Sequence, residues 1–124
     1  MNSISLKPEI TELYDLNDFI LDKIKKENLK VNLIVEEIFV NIANYSKADS
    51  ITVNVDFESP TLTIEFIDNG AEFNPLIKED PKTPKTIEEA EIGGLGIFLA
   101  KEMVDDINYN YINGENHLKI IKKV

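Results

Sequence analysis

The chain has 124 residues, enough for one domain around one core, and 43% of them are hydrophobic. Its 13 basic residues against 23 acidic ones leave a net charge of −10, which repels nucleic acid and anionic membranes. It has no cysteine, which excludes disulfides and thiolate metal sites, and no apolar run approaches the roughly 20 residues of a membrane span. No secretory signal pattern is visible at the N-terminus, so the expected location is the cytoplasm. Any phosphate bound by so acidic a chain must be neutralised by Mg²⁺ or by a few placed lysines.

Between Asn2 and Lys7, Ile4 and Leu6 alternate with polar neighbours, which predicts a short edge strand closed by Pro8. From Ile10 to Glu27, Leu13, Leu16, Ile20 and Ile24 recur at helical spacing and predict an amphipathic helix with a solvated charged face. A second helix is predicted from Lys30 to Tyr45, with Ile34, Ile38, Ile42 and Tyr45 as its apolar stripe. At about 100° per residue, Asn41 projects roughly 20° from Ile34, inside that stripe, and Glu37 about 60° away on its flank. A carboxamide and a carboxylate one turn apart therefore share the edge of a buried face, where polar groups need partners. Two readings stay open. Both side chains bond the backbone of an adjacent loop, or Asn41 is an oxygen ligand to Mg²⁺ and Glu37 a general base or water-positioner.

Residues 46–50 form a polar turn, and Ile51 to Phe57 and Leu62 to Ile67 alternate on either side of Ser59-Pro60, predicting an antiparallel hairpin. The hairpin runs into Asp68-Asn69-Gly70, first of all a turn signal. The same residues can present a carboxylate at the strand's end, with Gly70 letting a ligand approach the backbone. Leu76 to Ile92 carries Pro81, Pro84 and alternating charges with little apolar content. Loops beyond about 12–15 residues are usually functional or disordered, so this one is read as a mobile functional loop. Its cations, Lys78, Lys82 and Lys85, are each a solvated surface charge or a phosphate contact.

Gly93, Gly94 and Gly96 then expose backbone N–H groups at the start of a helix predicted from Ile97 to Asp105. A helix N-terminus can hold an anion, although the same glycines read equally as a hinge. Their order is not the dinucleotide fingerprint, since no strand leads into it and Leu99 replaces the third glycine. Nor is it a P-loop, which needs Gly-Lys-Ser/Thr. Ile107 to Ile112 and His117 to Val124 predict a closing hairpin turned by Asn113-Gly114, with His117 a structural residue. No repeat, low-complexity segment or linker interrupts residues 1–124, which read as a single domain.

In this order and at these separations, three stretches resemble the boxes of the bacterial anti-sigma-factor serine kinases, within the Bergerat-fold (histidine-kinase-like) ATPase superfamily. Glu36-Glu37-Ile38-Phe39-Val40-Asn41 is similar to the N box, and Asp68-Asn69-Gly70-Ala71-Glu72-Phe73-Asn74-Pro75 to the first glycine box. Gly93-Gly94-Leu95-Gly96-Ile97 is similar to the second. Met103-Val104-Asp105 and Asn116-His117-Leu118-Lys119 resemble the branch's helix end and last strand. The resemblance covers nearly the whole chain and is most specific from Leu33 to Lys122.

It implies an α/β (α+β) two-layer sandwich, with helices on one face of a mixed, mostly antiparallel sheet, and ATP with Mg²⁺ bound between the helices and a lid over about 76–92. Asp68 would accept a hydrogen bond from the adenine amino group, Gly70 would leave room for the base, and Phe73 of the same box would belong to the pocket. Asn41 would hold Mg²⁺, Asn44 would line the pocket one turn on, and Glu37 would act as base on an attacking serine hydroxyl. Gly93 belongs with Gly94, Leu95, Gly96 and Ile97 to the segment whose N–H groups would cap the phosphates.

The implied function is an ATP-dependent regulator that binds a sigma factor or similar client and phosphorylates a serine of a small anti-sigma-factor antagonist protein. Relatives often form homodimers, and neither nucleic acid nor membrane is an expected direct partner. A non-catalytic, nucleotide-gated binding module is the alternative, and a relic that binds no nucleotide is another. The ATP-binding half of a histidine kinase fits less well, because the glycine-box order follows the anti-sigma branch. Two positions depart from that branch. Ala90 and Tyr111 stand where many relatives carry arginine, a residue that stabilises transition-state charge and can be worth orders of magnitude in rate. Nucleotide binding is thus implied more directly than phosphoryl transfer.

Overall fold

The strand expected between Asn2 and Lys7 forms over Ser3–Leu6 (β1) in the computed structural model, which describes residues 2–74 and 100–124. The first predicted helix is shorter than its apolar pattern. A 3₁₀ turn at Ile10–Glu12 leads into α1, Leu13–Ile24, and Lys25 ends it in the left-handed conformation, φ 63°, donating to the Leu21 carbonyl. Asn28 then caps α2, Leu29–Tyr45, by accepting from the Val31 N–H at 3.1 Å, so residues 25–28 are a connection rather than helix.

Four further strands complete the fold: β2, Ile51–Glu58; β3, Thr61–Asp68; β4, Asp106–Ile112; and β5, Glu115–Lys123. The sheet order is β1-β2-β3-β5-β4, with β1 and β4 at the edges. Every described pairing is antiparallel, where a mixed sheet was expected. The reason is topological: β3 and β4 run in the same direction, but β5 lies between them. The β4–β5 turn at Asn113-Gly114 has φ 51° and 80°, the pair of positive values that an Asn-Gly hairpin turn requires.

Strict alternation gives the sheet one apolar face. Ile51, Val53 and Val55 of β2, Leu62, Ile64 and Phe66 of β3, and Leu118 and Ile120 of β5 are buried. They pack with Leu13, Leu16 and Ile20 of α1 and with Val31, Ile34, Val35, Ile38, Phe39 and Ile42 of α2. Each such side chain contributes about 1.5–3 kcal/mol through burial. Residues 100–103 form a helical turn whose Ala100 is buried in the same core. The helix expected to reach Asp105 stops at Met103, because the Asp105 N–H already bonds Ile121 of β5 at 2.8 Å. Among the described residues no helix is long and apolar enough to cross a membrane.

Candidate functional site

Asp68 is the last residue of β3, in register between Ile51 of β2 and Asn116 of β5. It continues the inward column of Leu62, Ile64 and Phe66, so the alternation that builds the core delivers a carboxylate at its rim. Only 3% of Asp68 is exposed, and buried carboxylates need donors. Its Oδ1 accepts from the Gly70 N–H and from Asn116 Nδ2, both at 3.0 Å. Among the described residues, Oδ2 accepts no hydrogen bond.

The turn that follows docks on the end of α2. Gly70 lies against Ser46, the C-cap residue, and the Ala71 N–H donates to the Ser46 carbonyl at 2.9 Å. Asn69 Oδ1 accepts from the N–H groups of Asp49 (2.9 Å) and Ser50 (3.3 Å), tying the turn to the α2–β2 connection. The half-buried ring of Phe73 sits 6.2 Å from that of Tyr45, tilted by 34°. Gly70 and Phe73 are thus brought to the same place as Asp68.

On α2, Asn41 is buried among Ile38, Phe39 and Ile42, as the stripe predicted. Its Oδ1 is enclosed and, among the described residues, has no hydrogen-bond partner, the costly state that a ligand would relieve. Glu37, one turn earlier, is half-buried, and burial together with the adjacent Glu36 charge pushes its carboxyl above the ordinary range. Asn44 is exposed at the last turn. The remaining expected site residues, Gly93, Gly94, Leu95, Gly96 and Ile97, lie outside the described residues, as do the lid at 76–92 and Ala90. Among the described residues no group of three or more His, Cys, Asp or Glu side chains could hold a metal.

Two residues of the site escaped sequence reasoning. Asn116 donates to Asp68 and, at 2.8 Å, to the Ala71 carbonyl, while its Oδ1 accepts from the Phe73 N–H at 3.0 Å and from the Tyr109 hydroxyl. The signal was present. Asn116, Leu118 and Ile120 share one face of a strand, and a polar residue heading an apolar column calls for a partner. Tyr109 lies within the predicted strand Ile107 to Ile112 without any signal of its own, and only the β4–β5 register brings it beside Asn116. Tyr111 pairs directly with Asn116 and is 41% exposed. His117 lies on the opposite face near Glu65 and Glu115, at 3.5 and 3.8 Å.

Two cavities, of about 230 and 160 Å³, share Ile24, Lys26 and Asn28. The larger reaches Phe57 and Ser59, at the end of the sheet opposite Asp68, and neither contains a site residue.

Residues 12–122 match the family described as histidine kinase-like ATPase domain. No curated protein matches the chain. Among solved structures it is similar to the histidine kinase AdeS of Acinetobacter baumannii, at 14% identity and a TM-score of 0.52. That likeness covers 99% of this chain and 68% of the other, and at such identity it is one of fold.

Proposed function

The chain belongs to the family of histidine kinase-like ATPase domains, and on that premise we propose that it is an ATP-binding regulator that phosphorylates a serine on a partner protein. The observation that carries the reading is Asn41, whose enclosed Oδ1, without a partner among the described residues, stands one helical turn beyond Glu37. Mg²⁺ prefers a few protein oxygens completed by water and substrate phosphates, so one carboxamide oxygen suits it. Bound there, the ion would neutralise phosphate charge that a chain of net charge −10 cannot.

Asp68 offers Oδ2 to the adenine amino group, with Gly70 and Phe73 beside it. Glu37 takes the serine proton as the Oγ–phosphorus bond forms and the bond from the γ-phosphorus to the bridging oxygen breaks, releasing ADP. Its raised pKa suits a base better than that of an ordinary glutamate. The resemblance of Gly93-Gly94-Leu95-Gly96-Ile97 to the second glycine box would assign the phosphates to their backbone N–H groups. The order of the boxes supports the anti-sigma branch, with a sigma factor or similar client as the bound partner and its antagonist protein as the serine substrate.

The alternative reading is a nucleotide-gated binding module without transfer. It is favoured by one observation: all 13 basic residues are lysine, so these 124 residues offer no arginine to the transition state. Calorimetric titration with ATP, with and without Mg²⁺, tests the pocket, and incorporation of labelled phosphate into a candidate antagonist tests transfer. Mg²⁺-dependent binding with transfer supports the kinase. Binding without transfer favours the module, and no binding by folded protein removes both.

A further inference from the structure

We infer that Asn116 is the positioning residue of the adenine subsite: its side chain spends its hydrogen bonds on Asp68 and the adjoining turn, leaving Asp68 Oδ2 to read an exocyclic amino group. The inference rests on the nucleotide reading above.

A carboxamide has two N–H donors and a carbonyl oxygen with two lone pairs. Asn116 uses all four: Nδ2 donates to Asp68 Oδ1 at 3.0 Å and to the Ala71 carbonyl at 2.8 Å, and Oδ1 accepts from the Phe73 N–H at 3.0 Å and the Tyr109 hydroxyl. The amide therefore has one orientation. A flip would set its N–H groups against the Phe73 N–H and its oxygen against a carboxylate and a carbonyl. On the carboxylate, the Asn116 bond and the Gly70 N–H both fall on Oδ1. Ile51, the other cross-strand neighbour of Asp68, offers no polar side chain to share the task. One oxygen is pinned by two donors and the other is held ready for a ligand. Binding then spends little on ordering it. A 6-amino purine donates to that oxygen, whereas a 6-oxo purine would turn an acceptor towards it.

The test compares Mg²⁺ complexes of ATP and of purine riboside triphosphate, which lacks the 6-amino group, by calorimetry on wild type and Asn116→Ala. Positioning predicts a Kd for ATP raised about tenfold in the variant, with that for purine riboside triphosphate changed by less than about twofold. Tyr109→Phe removes one donor to Asn116 and should show the same selective loss at smaller size, which keeps the test decisive if Asn116→Ala does not fold. Equal weakening of both nucleotides, or weakening of neither, overturns the positioning role while leaving the nucleotide reading intact. A folded wild type that binds neither nucleotide overturns both.

Discussion

A Cβ placed on Gly70 would stand 2.1 Å from the carbonyl oxygen of Ser46, the residue that caps α2. No real contact is that short, so the turn after β3 and the end of the helix meet backbone to backbone. The Ala71 N–H donates to the same oxygen. The element bearing Asp68 and the element bearing Asn41 are therefore locked together two residues from the carboxylate.

Gly70→Ala should break this lock. Overpacking costs about 1–3 kcal/mol. Loss of the Ala71 bond to Ser46 adds about 0.5–1.5 kcal/mol. A destabilisation of about 1.5–4.5 kcal/mol is expected, a large part of the about 5–15 kcal/mol that holds a domain folded. Gly114→Ala is the control, since its φ of 80° is strained for alanine but nothing lies within 4 Å of the added methyl. It should lose only about 1–2 kcal/mol. Urea unfolding of the two variants checks the difference, and equal losses would refute the backbone contact.

Most of the fold was legible because its signals are local. Alternation in Ile51 to Phe57 and Leu62 to Ile67, the Asn113-Gly114 turn and the Ile34/Ile38/Ile42 stripe each sit within one element. Asn41 could be singled out as a polar residue on an apolar face, and Asp68 by the Asp68-Asn69-Gly70 signal at the end of its strand. Asn116 announced only the need for a partner and Tyr109 nothing, since which residues they meet comes from a register between strands that only tertiary structure sets. The early end of α1 was missed for a related reason: Lys25 in the left-handed cap is not a residue type that announces a stop.

Asn41→Leu should separate stability from function. A buried acceptor without a partner costs about 1–3 kcal/mol, and leucine fills similar space without it. Leucine is also the better helix former. The nucleotide-free variant should be more stable than wild type by about 1 kcal/mol or more, read from urea unfolding. Wild type should gain about 2.7 kcal/mol from Mg²⁺-ATP at a hundred times its Kd, and the variant essentially none. A destabilised variant that keeps the nucleotide-dependent gain would rule out the ligand role.

Glu37→Gln joins pH to both stability and rate. Burial first, and then the Glu36 charge, raise the Glu37 carboxyl above its ordinary value of 4.5. Between that value and the raised one, the folded state holds a proton that the unfolded state has released. The stabilisation is therefore complete below the unfolded value and is lost as pH rises through the folded one. At neutral pH the ionised carboxylate is a cost, so Glu37→Gln should raise Tm there, and the difference should vanish in acid. If Glu37 is the base proposed above, rate has the opposite demand, because a base must be ionised to take the serine proton. Wild-type transfer should fall as pH drops through the raised value, at higher pH than an ordinary glutamate would require, while Glu37→Gln transfers nothing at any pH yet still binds Mg²⁺-ATP. A variant with lower Tm at neutral pH would contradict the burial cost, and one that still transfers phosphate would remove Glu37 as the base.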